Sequence, residues 1–215
     1  MLQYSRTLRS IILYTNAAFG NVRLVMTPEA RRAGRPRSER ARQAVLNAVL
    51  ELAAEEGAAG LNMEAIAKRA GVSKETLYRW WRSKTEVVLD ALAERGQRTI
   101  PLPDTGSLHK DLRTFLRSTI DSAEPSTVQL LHAIAAAAAT DESVAVDVRD
   151  RFLATRRAAL RQLLDRGVAR AEITAAQAAL AIDLIYGSMW YRLIFRVGPL
   201  DYGWADSVAR MIARG

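Results

Sequence analysis

Cysteine is absent from this chain of 215 residues, and histidine occurs only twice, at His109 and His132. Without cysteine there is no disulfide and no thiol nucleophile, and two histidines cannot form a typical zinc site unless carboxylates complete it. The sequence also lacks a phosphate-binding glycine-rich loop, a nucleophile elbow and a paired metal-ligand motif. An enzyme is therefore the less favoured class, and we expect no catalytic residue, no metal and no cofactor.

Long uninterrupted apolar runs are missing as well. The most apolar stretch, residues 178–197, contains Asp183 and Arg192, so we interpret it as an interface and not as a membrane span. With 49% hydrophobic residues, the chain has enough apolar material for one small and one larger domain. Because no disulfide requires an oxidising compartment, we expect a cytoplasmic protein without a membrane partner.

Positive charge is plentiful but unevenly placed along the chain, whose formal net charge is +8. Lysine and arginine outnumber aspartate and glutamate by 3 to 1 in residues 1–30 and by 12 to 6 in residues 31–84, whereas the remainder has 16 of each sign. The whole excess thus precedes residue 85. Such a distribution favours one segment that meets a polyanion, although a solvated charged surface would give the same count.

Residues 61–84, LNMEAIAKRAGVSKETLYRWWRSK, have the pattern of two short helices joined by a tight turn. Asn62 can cap the first helix and Ser73 the second, while Gly71 can adopt the left-handed conformation that ends a helix. The first helix has one apolar face, formed by Met63, Ile66, Ala67 and Ala70. Polar and aromatic residues, namely Ser73, Lys74, Glu75, Thr76, Tyr78 and Arg79, face outward from the second. A helix-turn-helix of this kind presents side chains to a groove of double-stranded DNA.

Further helices are predicted on both sides of this motif. From Ser38 onward, apolar residues recur at helical spacing as far as Gly57, which we expect to close a supporting helix. Ser83 can cap a helix that begins at Lys84 and ends near Gly96. We therefore assign residues 34–95 to a helix-turn-helix DNA-binding domain, residues 96–106 to a linker and residues 107–215 to a second domain.

A basic arm precedes the helix-turn-helix motif. Its arginines are Arg31, Arg32, Arg35, Arg37, Arg40 and Arg42, opposed by Glu39 alone. Gly34 and Pro36 should prevent an early helix, and we expect residues 1–33 to be a disordered extension. Arg35 and Arg37 would lie either in a minor groove or along phosphates, unless the arm is only a solubilising lead-in.

Residues 45–94 resemble the DNA-binding domain of the TetR family of tetracycline-repressor-like regulators. The matching residues are Val45, Leu46, Ala48, Gly57, Ile66, Ala67, Ala70, Gly71, Val72, Ser73, Thr76, Leu77, Tyr78, Trp81 and Lys84. The family more often has histidine or tyrosine followed by phenylalanine where this chain has Trp80 and Trp81. The resemblance covers about a quarter of the chain by motif and the rest only by helical layout and length.

This resemblance implies roles for individual residues. The recognition helix would carry Lys74, Glu75, Thr76, Tyr78, Arg79 and Trp80. Tyr78 and Lys84 would grip phosphates, and Asn62 would hold one at the N-terminus of the first helix. Trp81 would be a core aromatic. Arg79 would either read a guanine through O6 and N7 together or contact a phosphate.

Helical periodicity continues through residues 107–215, and no alternating strand pattern competes with it, so the predicted fold is all-α. Thr174 and Gln177 form a capping box for a long helix that is apolar around nearly its whole circumference. One side would pack on its own domain and the other on a second copy, unless both belong to one deep core. The predicted dimer interface comprises Ile182, Ile185, Met189, Leu193, Val208, Met211 and Ile212.

The resemblance also implies a function. The protein would bind a pseudo-palindromic operator as a homodimer, most often to repress transcription, and a small apolar or aromatic effector would release it. Candidate pocket residues are Phe115, His132, Phe152, Tyr186, Trp190 and Tyr191, for each of which ordinary core packing is the alternative. A ligand-independent or architectural DNA-binding protein is the alternative function, and a cavity beside Tyr186 and Trp190 would count against it.

Overall fold

Residues 35–213 are described by the computed structural model, with side chains from Ser38 onward. This part of the chain is helical and contains no strand, so the predicted all-α fold is confirmed. The predicted extension and arm, residues 1–33, lie outside the described residues, as do the side chains of Arg35 and Arg37.

The first four helices are α1 (Arg35–Gly60), α2 (Met63–Ala70), α3 (Lys74–Trp80) and α4 (Lys84–Thr99). The expectation that Pro36 prevents an early helix was wrong, because proline is tolerated in a first turn, where its missing N–H has no helical partner. Gly57 interrupts α1 with φ 73°, as predicted, but helical turns resume as far as Gly60. Likewise, α4 does not stop near Gly96 and continues to Thr99, so the first part of the predicted linker is helical.

A first core joins these helices. Its members include Leu46, Val49, Leu52, Ile66, Leu77, Trp81, Val87, Leu89 and Leu92. Trp81 is 2% exposed, which agrees with its predicted role as a core aromatic. Leu77 is fully buried and anchors the short α3 by one apolar side chain, which leaves the other faces of that helix outside the core.

The remaining helices are α5 (Leu108–Asp121), α6 (Pro125–Ala138), α7 (Glu142–Asp147), α8 (Ala154–Ala169), α9 (Ala175–Phe195) and α10 (Tyr202–Ala213). Between α7 and α8 the chain stays helical but widens into a π-helical segment, Val148–Leu153. The capping box predicted for the long helix is present, since Thr174 accepts from the Gln177 N–H and the Gln177 side chain accepts from the Thr174 N–H.

A second core lies among α5, α8, α9 and α10. Its larger members are Leu108, Leu112, Phe115, Leu116, Leu160, Leu163, Leu164, Ile182, Ile185 and Trp204. Ile182 and Ile185 are 1% and 0% exposed, so their assignment to a dimer interface is corrected: they face the interior of their own subunit. Phe115, predicted to line a pocket, is also a core residue of this cluster, at 1% exposure.

Packing between α4, α6 and the π-helical segment joins the first four helices to the rest. Leu130 and Ile134 of α6 belong to the first core, and Val148 and Phe152 pack against it. Within the described range, the residues from Pro36 onward consequently form one compact unit.

The long helix α9 passes a length and composition test for a membrane span, with a mean hydropathy of 1.2 over 18 residues. A core helix of a soluble protein passes the same test. Ala178, Ala181, Ile182 and Ile185 of α9 are buried in the second core, so packing within the subunit accounts for the apolar residues on one side of this helix.

Candidate nucleic-acid interface and effector cavity

The α2–turn–α3 unit is held by local capping. The Asn62 side chain accepts a 2.8 Å hydrogen bond from the Ala65 N–H, and the Ser73 hydroxyl accepts one of 3.2 Å from the Thr76 N–H. Between them Gly71 has φ 66° and ψ 32°, the left-handed conformation predicted for it. Each cap thus satisfies one of the N–H groups that have no partner within the first turn of its helix, and Gly71 makes the turn between the two helices.

Helix α3 consists of the residues predicted for a recognition helix plus the buried Leu77. The side chains of Ser73, Lys74, Glu75, Tyr78 and Arg79 are exposed and that of Thr76 is half-buried. Lys74 forms a 3.0 Å ion pair with Glu64 of α2. The backbone N–H of Glu75 and the Ser73 hydroxyl lower the pKa of the Glu75 carboxyl, so this side chain is ionised at neutral pH.

Trp80 is half-buried and packs edge-on against the ring of Trp81, with centroids 5.6 Å apart at 86°. The Arg79 guanidinium lies 5.8 Å from the Trp80 ring centre. At that distance a cation–π attraction restrains the arginine. Trp80 thus restrains the Arg79 side chain and is itself partly exposed on the surface of α3.

A surface concavity brings the three predicted phosphate-gripping residues together. Asn62 from the start of α2, Tyr78 from α3 and Lys84 from the start of α4 all line it, beside Leu61, Met63, Glu64 and Lys74. Tyr78 is 52% exposed although tyrosine has a large apolar ring. The concavity therefore presents the Tyr78 phenol and the Lys84 ammonium group beside the Asn62 amide, whose oxygen caps α2 and whose nitrogen donates a 3.4 Å hydrogen bond to the Gly60 carbonyl oxygen.

Two carboxylates of helix α4, Glu86 and Asp90, contact both the chain that follows α3 and the π-helical segment. The Trp81 indole N–H donates a 2.8 Å hydrogen bond to Asp90, and the backbone N–H of Arg82 donates one of 3.0 Å to Glu86. Arg151 of the π-helical segment lies 3.5 Å from Glu86 and 3.7 Å from Asp90. Sequence reasoning missed this bridge, although Glu86 and Asp90, four residues apart, had to share a face of α4.

A cavity of about 80 Å³ lies at the inner end of α4. Its lining comes mainly from α4, α6, the π-helical segment, α8 and α9: Leu92, Arg95, Gly96, Ile100, Thr119, Ser122, Ala123, Thr127, Leu131, Phe152, Leu153, Arg156, Tyr186, Met189, Trp190, Leu193 and Leu200. Three of the candidate pocket residues, Phe152, Tyr186 and Trp190, are on this wall. The Phe152 and Trp190 rings meet edge-on at 6.5 Å.

Several residues predicted for the pocket or the dimer interface lie elsewhere in the structure. His132 is half-buried and its Nε2 is 2.7 Å from the Leu193 carbonyl oxygen, whereas Tyr191 is 56% exposed on the far side of α9. Met189 and Leu193, predicted at a dimer interface, are half-buried and line the cavity. For the residues of α9, helical periodicity does not tell which of the two apolar faces is turned inward.

Of the polar residues of the cavity wall, Tyr186 was a candidate pocket residue, whereas Arg95, Thr127 and Arg156 were not predicted from the sequence. Arg156 is 7% exposed, and burial lowers the pKa of its guanidinium. The Tyr186 hydroxyl donates a 2.8 Å hydrogen bond to the Arg156 carbonyl oxygen, and burial raises the pKa of Tyr186 to about 12. The Arg95 Nε and the Thr127 hydroxyl are buried without a hydrogen-bond partner.

An exposed apolar stripe runs along the outer face of α9. We define this stripe as Leu180, Leu184, Tyr191 and Phe195, which are between 46% and 69% exposed and recur with helical spacing. The Tyr191 and Phe195 rings lie 5.8 Å apart. On α10, Met211 is 57% exposed, whereas Val208 and Ile212 are half-buried against the second core.

Two family models match the chain, one described as "Bacterial regulatory proteins, tetR family" over residues 45–91 and one as "Tetracyclin repressor-like, C-terminal domain" over residues 102–212. The chain belongs to the TetR family. The resemblance identified from residues 45–94 is therefore confirmed, and it extends to the second domain. Proteins of the TetR family are helix-turn-helix transcriptional regulators, not enzymes.

Relatives agree with this assignment. The HTH-type transcriptional regulator YdeS of Bacillus subtilis is 34% identical over 162 residues, which cover 75% of this chain and 82% of YdeS. A crystal structure of the TetR family regulator SCO0332 is 30% identical, with a TM-score of 0.74, and covers 81% of this chain and 98% of that one. The regulator FadR of Bacillus subtilis, solved in complex with stearoyl-CoA, is 16% identical with a TM-score of 0.61 and covers 80% and 98%; it shares the fold.

Proposed function

We propose that this TetR-family protein is a ligand-responsive repressor, which binds a pseudo-palindromic operator as a homodimer and is released by a small molecule. The observation that carries the proposal is the position of α4. Leu92, Arg95 and Gly96 of this helix line the cavity, and Asp90, two residues before Leu92, accepts a hydrogen bond from the indole N–H of Trp81, which directly follows α3. One helix thus connects the cavity with the α2–turn–α3 unit. Because its target is DNA, we place the protein in the cytoplasm.

DNA contact is assigned to the exposed face of α3 and to the concavity beside it. Ser73, Lys74, Glu75, Thr76, Tyr78, Arg79 and Trp80 would face the major groove. Asn62, Tyr78 and Lys84 would hold phosphates at the edge of the groove, and Arg35 and Arg37 would follow the backbone or a minor groove. The exposure of a tyrosine and the gathering of three hydrogen-bonding groups from different helices support this assignment.

Homodimerisation is assigned to the apolar stripe on α9 together with Met211 of α10. TetR-family regulators dimerise, and large exposed apolar side chains in one row are uncommon on a monomer surface. A two-fold axis through such a contact would place two recognition helices about 34 Å apart, in successive major grooves. The spacing of operator half-sites follows from that geometry.

Charge reversal of the apolar stripe tests the dimer. We expect the variant Leu184→Glu with Tyr191→Glu to elute as a monomer, since four buried carboxylates would face one another across the two-fold axis. Light scattering coupled to size exclusion measures the mass. The control Leu102→Glu introduces a charge at an exposed leucine outside the stripe and should remain dimeric. A monomeric wild-type protein would contradict the assignment.

The cavity counts against the alternative of a ligand-independent architectural protein. Its wall includes Tyr186 and Trp190, and its volume of about 80 Å³ accommodates several water molecules in the unliganded chain. A larger ligand would have to widen it, and the helices that would move, including α4, are those connected to the recognition unit. Entry of a ligand is thereby linked to a change at the DNA-binding end.

Selection from a random duplex library tests the function as a whole. The enriched sequences should contain two inverted half-sites separated by about one helical turn, and anisotropy should show a preference of about 1000-fold or more over a scrambled duplex at fixed salt. Enrichment of sequences without inverted symmetry would contradict the two-fold arrangement. Equal binding to all duplexes would contradict the assignment to a specific regulator.

A further inference from the structure

Arg156 is a buried cation without an anionic partner. Its side chain lies in the wall of the cavity and is 7% exposed, and no carboxylate of the described residues lies within 4 Å of its guanidinium nitrogens. The neighbouring Arg157, by contrast, points outward and pairs with Asp183 at 2.8 Å. An isolated buried charge is strongly unfavourable, so an arginine is not expected at such a position for packing alone.

Two further polar groups of the same wall also lack partners. The Arg95 Nε can donate one hydrogen bond and the Thr127 hydroxyl can donate or accept one, and both atoms are buried. The other end of Arg95 is engaged, because its Nη2 pairs with Glu124 at 2.5 Å. The rest of the wall is mostly apolar, with the Phe152 and Trp190 rings among its members. The wall of this largely apolar cavity therefore contains hydrogen-bond donors that have no partner.

We propose that the effector of this protein is a small carboxylic acid with an apolar or aromatic body, whose carboxylate pairs with Arg156 inside the cavity. A guanidinium matches a carboxylate in a planar, two-bond geometry, and each of these bonds gains strength in a dry site. Arg95 Nε and Thr127 supply further hydrogen bonds, and the aromatic wall receives the apolar body. This inference rests on the proposed function only in treating the ligand as an effector.

The position of Gly96 connects the bound anion to α4. A Cβ at this glycine would overlap the Arg156 Nη1 and lie 3.1 Å from its Cζ, so the guanidinium rests directly on the backbone of α4. Any carboxylate that draws the guanidinium into the cavity changes that contact. The anion is thus recognised at the place where the cavity meets the helix that supports the recognition unit.

Isothermal titration of the full-length protein tests the ligand class. The probes are benzoate, phenylacetate, hexanoate and octanoate, each compared with its primary amide, which has nearly the same shape but no charge. At least one acid should bind at least about tenfold more tightly than its amide, the difference expected for charge-assisted hydrogen bonds. Equal affinities, or no binding by any of the acids, would overturn the proposal.

Two variants locate the effect. Arg156→Met, which keeps the length and apolar character of the stem, should abolish the preference for acid over amide while the amide still binds. Arg161→Met is the matched control, because Arg161 is exposed on the same helix and outside the cavity, and it should keep the wild-type preference. An unchanged preference in Arg156→Met, with a folded protein by circular dichroism, would also overturn the proposal.

DNA binding separates this inference from the function on which it rests. If the protein binds its selected operator and is released by an amide as readily as by an acid, the regulator stands and the assignment of an anionic effector fails. If no specific operator binding is found but acids bind through Arg156, the cavity assignment stands and the regulatory proposal fails.

Discussion

Replacing Arg156 by methionine should make the ligand-free protein more stable, although it removes a long, buried side chain. Most large buried residues stabilise a fold, and truncating them lowers the free energy of unfolding. Arg156 differs because its charge is buried at 7% exposure with no partner carboxylate, while its apolar stem contributes the packing. Methionine keeps a flexible apolar chain of similar reach and removes the charge.

The size of the effect follows from the cost of an unpaired ion. Effective desolvation penalties are several kcal/mol per buried ion, and part is recovered through water in the cavity, so we expect the free energy of unfolding to rise by about 1–3 kcal/mol. For a chain of this length each kcal/mol shifts the melting temperature by about 2–4 °C, which predicts a rise of roughly 2–12 °C. The exposed control Arg161→Met should change stability by less than about 0.5 kcal/mol.

Urea denaturation followed by tryptophan fluorescence measures these differences, at equal protein concentration because dimerisation adds to apparent stability. The wild-type protein should first be refolded from denaturant, so that any acid bound during expression is lost. A variant that unfolds at lower urea than wild type would refute the reasoning, since it would mean that the Arg156 charge has a stabilising partner in the folded protein. The same substitution, Arg156→Met, should therefore raise the free energy of unfolding and weaken the binding of acids.

Other predictions concern the DNA-binding unit and the second core. Arg79→Ala should weaken binding to the operator far more than to random DNA, whereas Lys84→Ala should weaken both and lower the salt slope by about 1; equal losses for Arg79→Ala would contradict base reading. Gly71→Ala should lower unfolding stability by about 1 kcal/mol, because φ is 66° there and no neighbour obstructs a Cβ; unchanged urea midpoints would refute this. Arg117 holds the pKa of Asp206 at about 2, so the stability gained from this pair is complete above about pH 4 and is lost as pH falls toward 2. The loss of unfolding free energy caused by Asp206→Asn should therefore become smaller over the same pH range. A loss that stays constant with pH would count against the pairing.

The local parts of the DNA-binding unit could be predicted from the sequence. Asn62, Gly71 and Ser73 act on backbone groups within four residues, so their caps depend on little beyond the adjacent chain. The same holds for Thr174 and Gln177 at the start of α9. Where a residue's role is set by its immediate neighbours, the sequence contains the necessary information.

Roles that depend on tertiary packing could not be predicted in the same way. Ile182 and Ile185 were indistinguishable by pattern from Leu184 and Tyr191, because α9 is apolar on both sides. Only the packing of α5, α8 and α10 against one side decides which residues are interior. Arg156 is a stronger case, since arginine is usually exposed and its burial results from the convergence of several helices at the end of α4.

The π-helical segment contacts both the cavity and the carboxylates of α4, one of which supports Trp81. Arg151 of this segment pairs with the carboxylates of α4, while the next two residues, Phe152 and Leu153, line the cavity. π-helical turns are less regular than α-helical ones and are common at functional sites. Asp90 accepts the Trp81 indole N–H at one oxygen and faces Arg151 with the other, so a shift of the segment changes the electrostatic support of Trp81 directly. A ligand that displaces the cavity wall would therefore act on the recognition helix through a bridge only three side chains long.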